Sequence, residues 1–326
     1  MTDTPTLRFE ALTVEDVPAL TSLLNAIDAH EQTGEPAEEP SIREWLQSPR
    51  LSLPTDTVAA WDGNGLIGFG LVTVAAHADR DGRARVNLAG GVHPAHRGRG
   101  LGTTILARLE ERGTELAAER HPGLPAVLRT GGGRDPEPEL PVGGADVRPV
   151  LDRRGYHRVR SWFEMECELP GEALEVPTVE GVEITAPTAE QSEAVRLAHV
   201  AAFADHWGSA PIDAETWQLW TTSHTSRPQH STIALDEDGT VLAYAVTSED
   251  KPGTLHVALV GTRPEARGRG LARAVLARTL ASGAEAGFTD AVLEVDAESL
   301  TGATRLYEAV GFRRAHVYAT YERAVG

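Results

Sequence analysis

The order of hydrophobic and polar positions predicts the same series of elements twice along the chain. The first series opens with a short apolar strand, Leu7 to Leu12, followed by a helix that begins at Thr13. The second opens with a strand at Val182 to Thr185, and the helix after it carries Thr188 and Gln191 at the spacing of a capping box. Both openings therefore predict a strand followed by an amphipathic helix.

A β-hairpin follows each of these helices in the predicted order. Asp, Asn and Gly at the tips tolerate the positive φ that tight hairpin turns require. In the order strand, turn and strand, the hairpins are Thr57 to Trp61, Asp62 to Gly65 and Leu66 to Val74, and then Thr232 to Leu235, Asp236 to Gly239 and Thr240 to Val246.

Each hairpin is followed by another strand, an arginine- and glycine-rich segment, and a helix with apolar residues at helical spacing. The first segment is VHPAHRGRGLG, Val92 to Gly102, and the second is TRPEARGRGLA, Thr262 to Ala272. Further strands are predicted at Ala126 to Arg129 and at Ala291 to Val295. The matching contexts of the two segments indicate an internal repeat.

Two stretches rich in Gly and Pro interrupt this pattern. Leu169 to Gly181 lies between the repeats and predicts a linker, whereas Gly131 to Gly144 lies inside the first repeat and predicts a mobile loop. At 326 residues the chain exceeds what one hydrophobic core usually serves. We therefore predict two domains, residues 1–170 and 180–326.

Composition and charge narrow the class of protein. Hydrophobic residues make up 41% and charged residues 24%, which is typical of a globular protein rather than a disordered chain. The formal net charge of −18 disfavours binding to nucleic acid or to an anionic membrane, because both are negatively charged. A cationic or neutral partner is easier to accommodate.

Cysteine content and the N-terminal stretch indicate the compartment. Cys167 is the only cysteine, so no internal disulfide can form. The opening sequence is acidic and lacks the basic and apolar regions of a signal peptide. No apolar run approaches the roughly 20 residues needed to span a bilayer. We expect a cytoplasmic protein.

The arginine- and glycine-rich segments suit a phosphate ligand. The first turn of a helix leaves backbone N–H groups unpaired and carries partial positive charge, so it attracts a diphosphate. Glycine lets a ligand approach the backbone and otherwise lowers stability, which disfavours the alternative of glycine-rich turns without a ligand. A dinucleotide-binding motif would need a third glycine, which neither segment has in the required place.

Both segments resemble the signature of the GNAT acetyltransferases: Arg or Gln, two residues, Gly, one residue, and Gly or Ala. The resemblance implies an α/β fold of two consecutive GNAT domains, each with a mixed, mostly antiparallel sheet flanked by helices. It also implies acetyl-CoA as the cofactor, with its diphosphate at the helix start and its pantetheine arm beside the preceding strand. The cofactor-binding residues carried over in this way are Val92, Arg97, Gly98, Arg99, Gly100, Leu101, Gly102, Thr103, Val260, Thr262, Arg267, Gly268, Arg269, Gly270, Leu271, Ala272, Arg273 and Ser299.

The end of the second half resembles the last motif of the same family. A tyrosine there lies near the coenzyme sulfur and is the usual candidate acid, a role that Tyr307 inherits. Aligning Gly311 with Gly155 places Leu151 opposite Tyr307, and a leucine cannot donate a proton. We therefore predict that the second half is catalytic and that the first is structural or regulatory, whether or not it binds acetyl-CoA.

His256 is the predicted base. It occupies the position at which the tandem mycothiol synthases, a branch of this family, carry a glutamate thought to act as base. An imidazole with a pKa near 6.5 suits proton transfer at neutral pH. Strand alternation predicts that His256 shares a face with Ala258, Val260 and Thr262.

Two alternatives to this assignment stay open. One alternative is that His256 is a hydrogen-bonded core histidine. The other is that Glu294 is the base, acting directly or through water. Val86 is the counterpart of His256 in the first half and cannot act as a base.

The segment Phe203 to Gly208 follows the first helix of the second half, where GNAT enzymes build the acceptor pocket, and resembles one in mycothiol-synthase-like tandem proteins. We predict substrate binding by Asp205, His206 and Trp207, with Asp205 holding a cationic amine and Trp207 stacking on a ring. An exposed polar turn at a helix end is the alternative.

Other polar clusters carry weaker signals. The analogous region of the first half is predicted to be a solvated acidic face. The histidines show no metal-ligand spacing, so no metal is predicted. The acidic cluster consists of Asp28, His30, Glu31 and Glu35.

The residues and the resemblance together predict an acetyl-CoA-dependent N-acetyltransferase that acts on a primary amine of a small molecule by direct attack. The alternative is a non-catalytic acyl-CoA sensor. Aminoglycosides, polyamines, peptide amines and the cysteinyl pseudo-disaccharide of mycothiol synthase all fit as acceptors. Two halves in one chain predict a monomeric pseudo-dimer, with a homodimer as the alternative.

Overall fold

The structure is a computed structural model that describes residues 7–34, 36–134, 146–169, 175–299 and 302–325. Glu35, residues 135–145 in and after the predicted loop, and residues 170–174 of the predicted linker lie outside the described residues.

The strands, in chain order, are β1 (Leu7–Glu10), β2 (Thr57–Asp62), β3 (Gly65–Val74), β4 (Ala84–Val92), β5 (Ala126–Arg134), β6 (His157–Glu168), β7 (Glu183–Thr185), β8 (Thr232–Leu235), β9 (Val241–Lys251), β10 (Thr254–Thr262), β11 (Asp290–Asp296) and β12 (Arg313–Val325). The helices are α1 (Val17–Glu31), α2 (Glu39–Leu46), α3 (Leu53–Asp56), α4 (Leu101–Arg120), α5 (Arg148–Arg153), α6 (Ser192–Phe203), α7 (Ala214–Thr222), α8 (Leu271–Glu285) and α9 (Ala303–Ala309).

The predicted openings of both halves are confirmed, although β1 ends at Glu10 rather than Leu12. At the first, the Thr13 backbone N–H donates to Asp16 Oδ2 at 2.8 Å. At the second, the Thr188 backbone N–H donates to Gln191 Oε1 at 2.8 Å. At both helix starts a side chain thus accepts a hydrogen bond from a backbone N–H group that would otherwise be unpaired. Both predicted hairpins, β2–β3 and β8–β9, are also present.

Two compact units make up the described chain. The first takes the described residues up to 160 together with 318–325, and the second takes those from 161 to 317. In the first unit the strand order is β1-β2-β3-β4-β5-β12, and only β4 and β5 run parallel. Helix α4 packs on one face of this sheet and helices α1 and α2 pack on the other.

The second unit repeats this architecture. Its strand order is β6-β11-β10-β9-β8-β7, and only β10 and β11 run parallel. Helix α8 packs on one face, against Leu255 and Val257, whereas α6 and α7 pack on the other, against Tyr244. The predicted mixed and mostly antiparallel sheets with flanking helices are therefore confirmed.

The units differ from the predicted division at residues 170 and 180 because each takes a strand from the other half of the sequence. Strand β6 enters the second unit, where Phe163, Met165 and Cys167 are buried in the core beside α8. Strand β12 enters the first unit, where Ala319 and Tyr321 join the core beside α4. Hydrophobic alternation predicts each strand but not which sheet accepts it.

Strand β5 also runs further than the predicted segment. It continues to Arg134, which pairs with Tyr318 of β12, so the start of the predicted loop is strand. None of the helices in the described residues is long and apolar enough to cross a membrane.

Candidate active site

The arginine- and glycine-rich loop of the second unit is shaped for close approach of a ligand. Gly268 and Gly270 both have φ of +80°, a conformation that favours glycine. A β-carbon at either position would meet nothing within 4 Å, so open space lies in front of the backbone. Helix α8 begins at the next residue, and no side chain caps it. The first unit has the same loop, with φ of +74° at Gly98 and +83° at Gly100.

The first arginine of each loop is held by the protein. Arg267 donates to the backbone oxygen of Ala202, at the end of α6, at 3.0 Å. Arg97 donates to the backbone oxygen of Val92 at 3.0 Å and forms an ion pair with Glu31. These two arginines therefore tie the loop to the helix end and strand end beside it.

The ion pair also corrects the expectation of a solvated acidic face in the first half. Glu31 pairs with Arg97, and Asp28 accepts a hydrogen bond from Thr33. By contrast, Arg99, Thr103, Arg269 and Arg273 are exposed at the mouths of the loops.

The sheet of the second unit forks next to this loop. Strands β10 and β11 pair only from Thr254 to His256, opposite Asp290 to Val292, over the described residues. Beyond that point β10 continues to Thr262 with β9 on one edge only. Unpaired backbone N–H and C=O groups along a strand edge can pair with another extended chain. Val260 and Thr262 lie on this free stretch, where the resemblance puts pantetheine.

His256 lies at the closed end of the fork, between two β-bulges. The first bulge is an extra residue in β9, between Ser248 and Lys251, which pair with His256 and Thr254 of β10. The second bulge is an extra residue in β10, between His256 and Leu259. The second bulge shifts the alternation, so Leu259 packs with the α6 and α7 core while Val260 packs with the α8 core. The predicted shared face of His256 and Val260 is therefore wrong. Bulges redirect side chains in this way beside active sites.

Two carboxylates contact the His256 ring. Nδ1 lies 2.6 Å from Asp250 Oδ2, and Nε2 lies 2.9 Å from Glu294 Oε2. A neutral imidazole has one N–H, whereas the charged ring has two, so only the imidazolium can donate to both. Burial opposes this charge, yet the hydrogen bonds to Asp250 and Glu294 and their charges outweigh it and raise the pKa of His256 to about 10. The side chain is 21% exposed, so the core-histidine alternative does not describe it.

Strand β6 adds further residues to the same face of the sheet. Glu294 and Asp296 of β11 lie opposite Glu164 and Trp162, and directly opposed residues share a face. The Trp162 and Trp207 rings are 6.5 Å apart. The predicted acceptor segment and a residue from the first half of the sequence thus meet at the open end of β11. Sequence reasoning missed Trp162, because only the strand exchange brings it here.

The other two residues of the predicted acceptor segment lie close to the loop. Asp205 Oδ2 is 3.9 Å from Arg267 Nη1, with the Asp205 side chain 77% exposed. The His206 ring packs on Phe203, with centroids 4.2 Å apart. Burial lowers the pKa of His206, and the Asp296 carboxylate partly opposes this. The segment therefore packs next to the end of β11 and is more than an exposed polar turn.

Tyr307 projects from α9 and is 7% exposed. Burial raises the pKa of Tyr307 to about 12, so its hydroxyl keeps its proton at neutral pH and is available as a donor. Its ring packs against Phe312, with centroids 6.1 Å apart. Ser299 lies in the turn after β11, where its backbone N–H donates to the Asp296 oxygen at 3.0 Å.

The comparisons with known proteins agree with this geometry. The model of the Acetyltransferase (GNAT) family matches residues 20–124 and 193–312, more than half of the chain. The chain belongs to the GNAT family. The mycothiol acetyltransferase of Thermobispora bispora is 32% identical to it, over 71% of this chain and 74% of the relative. The chain is an N-acetyltransferase with two GNAT units in tandem, which disfavours the non-catalytic sensor.

Solved GNAT structures share the fold over the whole length. A GCN5-related N-acetyltransferase from Sphaerobacter thermophilus superposes with a TM-score of 0.77 at 23% identity, covering 98% of this chain and 95% of that one. A tandem GNAT protein from the clavulanic acid biosynthesis pathway gives a TM-score of 0.71 at 16% identity, covering 98% and 99%.

The first GNAT unit lacks the polar groups of the second. Val86 is buried against α4, and β4 pairs with β3 without a bulge, so this side chain does not face the way His256 does. On the opposite face, Arg129 lies across from Glu322 and donates to its carboxylate at 2.8 Å from Nε. An arginine–carboxylate pair thus lies on this face of the first unit's sheet, whereas the second unit has two carboxylates, Glu294 and Glu164, opposite each other.

The first GNAT unit also differs at its fork and at the acid position. Strands β4 and β5 pair over five residues, Ala84 to Leu88, so the fork opens further along β4 than it does along β10. Leu151 is buried in the core and offers no proton donor.

One group of potential metal ligands comes together among the described residues. Oxygen and nitrogen atoms of Glu164, Glu166 and His316 lie within 4.8 Å of one another. Acidic groups often cluster in this way without an ion, and the absence of a metal stays a prediction.

Proposed function

We propose that the second unit transfers the acetyl group of acetyl-CoA to a primary amine of a small molecule by direct attack. The fork between β10 and β11 carries the proposal. Its open end adjoins a glycine loop of positive φ with free space before it, and its closed end holds His256 and Glu294. Bound acetyl-CoA supplies an activated acyl group, with the free edge of β10 along its arm and Gly268 to Arg273 at its diphosphate.

A primary ammonium and a thioester give an amide, a free thiol and one proton to solvent. The new C–N bond forms as the C–S bond breaks. A carboxylate at the fork accepts the first proton of the ammonium and passes it to solvent. Tyr307 donates the proton that the sulfur takes up, and the second nitrogen proton, lost as the amide forms, restores the Tyr307 hydroxyl.

The base has a substantial task at neutral pH. Removing a proton from an alkylammonium of pKa about 10.4 at pH 7 costs roughly 4.6 kcal/mol. The His256 imidazolium has no lone pair to accept that proton, whereas the Glu294 carboxylate has. We therefore assign the base to Glu294 and keep His256 as its hydrogen-bond partner.

The acceptor end of the site favours a cationic molecule. Asp296, Glu294 and Glu164 share one face of the sheet, and carboxylates attract an ammonium group. Trp162 and Trp207 offer apolar faces for the body of the acceptor at the same end.

We propose that the first unit supports the fold and binds acetyl-CoA without turnover.

Acetyl-CoA consumption with a panel of amines tests the proposed function. The panel contains an aminoglycoside, a polyamine, a peptide N-terminus and a cysteinyl amino sugar. With an accepted amine, Tyr307→Phe is expected to lower kcat by at least about 100-fold, the usual range for loss of a general acid, while the Kd of acetyl-CoA stays within about twofold.

Tyr156→Phe is the matched control, because Tyr156 is a buried tyrosine of the first unit, 1% exposed. Turnover by that variant should equal wild type. Equal turnover by Tyr307→Phe would remove the acid assignment. Absence of any calorimetric heat with millimolar acetyl-CoA would remove the proposed function itself.

A further inference from the structure

Strand β9 places a carboxylate on the side of His256 that faces away from the fork. Asp250 Oδ2 accepts from His256 Nδ1 at 2.6 Å and from the Ser248 hydroxyl at 2.7 Å. Ser248 therefore helps to fix Asp250, and Asp250 in turn fixes the plane of the imidazole ring.

Ser248 and Asp250 of β9 both reach the ring beside a bulge, and Ser248 Oγ lies 3.2 Å from His256 Nδ1. Ser248 lies directly opposite His256 in the register, and the extra residue lies between Ser248 and Lys251, which pairs with Thr254. A regular ladder has no such extra residue.

A chain of alternating charge results, running from Asp250 through His256 to Glu294 and across the closed end of the fork. A neutral ring could satisfy one of the two carboxylates only, and would turn a lone pair toward the other. With the ring charged, both contacts are attractive. Glu294 is held by its Oε2 atom, which leaves its Oε1 atom available to the ammonium group of the acceptor substrate.

We propose that Asp250 is a positioning residue for acetyl transfer, keeping His256 as an imidazolium that orients Glu294 as the base. The proposed role of Asp250 rests on the proposed acetyltransferase function. The first test below does not depend on turnover, so the role of Asp250 and the acetyltransferase function can fail separately.

Other charged groups face this chain from neighbouring strands. Glu164 of β6 lies opposite Glu294, and His316 of β12 has its Nε2 3.8 Å from Glu164 Oε1. Both groups remain in every variant used below. A difference between variants therefore reports on Asp250 rather than on Glu164 or His316.

The first test measures the protonation state of His256 in the full chain without acetyl-CoA. Histidine ring ¹⁵N spectra are recorded from pH 5 to 10, and His256→Asn assigns the signal. Both ring nitrogens should stay protonated through pH 8 in wild type. In Asp250→Asn the pKa should fall by at least one unit toward the ordinary value near 6.5. A neutral ring at pH 7 in wild type would overturn the proposal.

Glu249→Gln is the matched control. Glu249 is the adjacent carboxylate on β9, and it binds Arg227 at 2.8 Å and the Gly253 N–H at 3.0 Å rather than His256. This variant should leave the His256 titration and the pH profile of turnover unchanged. An equal shift in Glu249→Gln would mean that general loosening of β9, rather than Asp250, sets the state of the ring.

The second test is the pH profile of kcat with an accepted amine at saturating acetyl-CoA. If Glu294 is the base beside a charged ring, Asp250→Asn should move the alkaline limb of the kcat profile to lower pH by the same amount, at least one unit, as the His256 pKa falls in the first test, with the acetyl-CoA KM unchanged. If His256 were the base, the same substitution would make the ring easier to deprotonate and raise kcat at neutral pH. A rise would therefore overturn the proposal.

Discussion

At the scale of single residues, the site combines side chains that sequence could point to with others that it could not. Tyr307, His256 and Glu294 stand out by position and chemistry, and the structure describes all three. Asp250 gives no signal in the sequence, since an acidic residue near a strand end is usually solvated. Its hydrogen bond to His256 lies beside a bulge in β9, a local irregularity that hydrophobic alternation does not encode.

Gly270→Ala tests the loop of the second unit. At φ of +80° the substitution should lower the free energy of unfolding by about 1 kcal/mol and weaken acetyl-CoA binding at least about tenfold, because the methyl group enters the space left for the ligand. Gly239→Ala, at a hairpin tip with φ of +78° and similar open space, is the control for strain. Calorimetry and urea unfolding measure both effects, and equal affinity loss in both variants would argue against a phosphate site.

Gly100→Ala asks the same question of the first unit. Acetyl-CoA titration of wild type should show two binding events, and this variant should lose one of them while kcat stays unchanged. A single event in wild type that survives in Gly100→Ala would mean that the first loop holds no ligand.

His256 should also make stability depend on pH. Its folded pKa, about 10, lies above the ordinary 6.5, so its contribution is complete below pH 6.5 and disappears as pH rises through about 10. The difference in unfolding free energy between wild type and His256→Gln should therefore shrink between pH 6.5 and 10 in urea titrations. His30→Gln, which removes an exposed imidazole, is the control, and an equal trend in that variant would contradict the assignment to His256.

At the scale of elements, the sequence predicts most helices and hairpins because capping boxes, turn glycines and hydrophobic periods are local signals. The face of His256 escapes prediction, since one extra residue in β10 reverses the alternation beyond it. The same bulge distinguishes the second unit from the first. In the first unit β4 pairs regularly with β3, and Val86, the counterpart of His256, is buried in the core.

Strand β6 places Trp162 at the acceptor end of the site. Trp162→Ala should raise the acceptor KM about tenfold and leave the acetyl-CoA KM within twofold, because the ring lies beside Trp207 of the predicted acceptor segment. Trp220→Ala is the control, as Trp220 is 54% exposed on α7. Steady-state kinetics that move both KM values together would assign Trp162 a general packing role.

At the scale of the whole molecule, two units of one fold follow from the repeat, but their boundaries do not. A strand's pattern records which of its faces is buried, and β6 would look the same in either sheet. Its assignment to the second unit depends on the fit of Phe163, Met165 and Cys167 into the core beside α8.

Fragments test this exchange. A fragment of residues 180–326 lacks β6, so it should lose those three buried side chains and show no cooperative thermal transition. Residues 157–326 restore β6 and should regain a cooperative transition. Equal melting curves for the two fragments, followed by circular dichroism, would mean that β6 is dispensable to the second unit.

The exchanged strands constrain how such a chain can change over generations. Deleting either copy of the repeat would leave the survivor one strand short and expose a sheet edge, so reversion to a single-copy gene would be selected against. We therefore expect the first unit to be kept for the strand that it supplies and the strand that it accepts, whether or not its own cleft turns over a substrate.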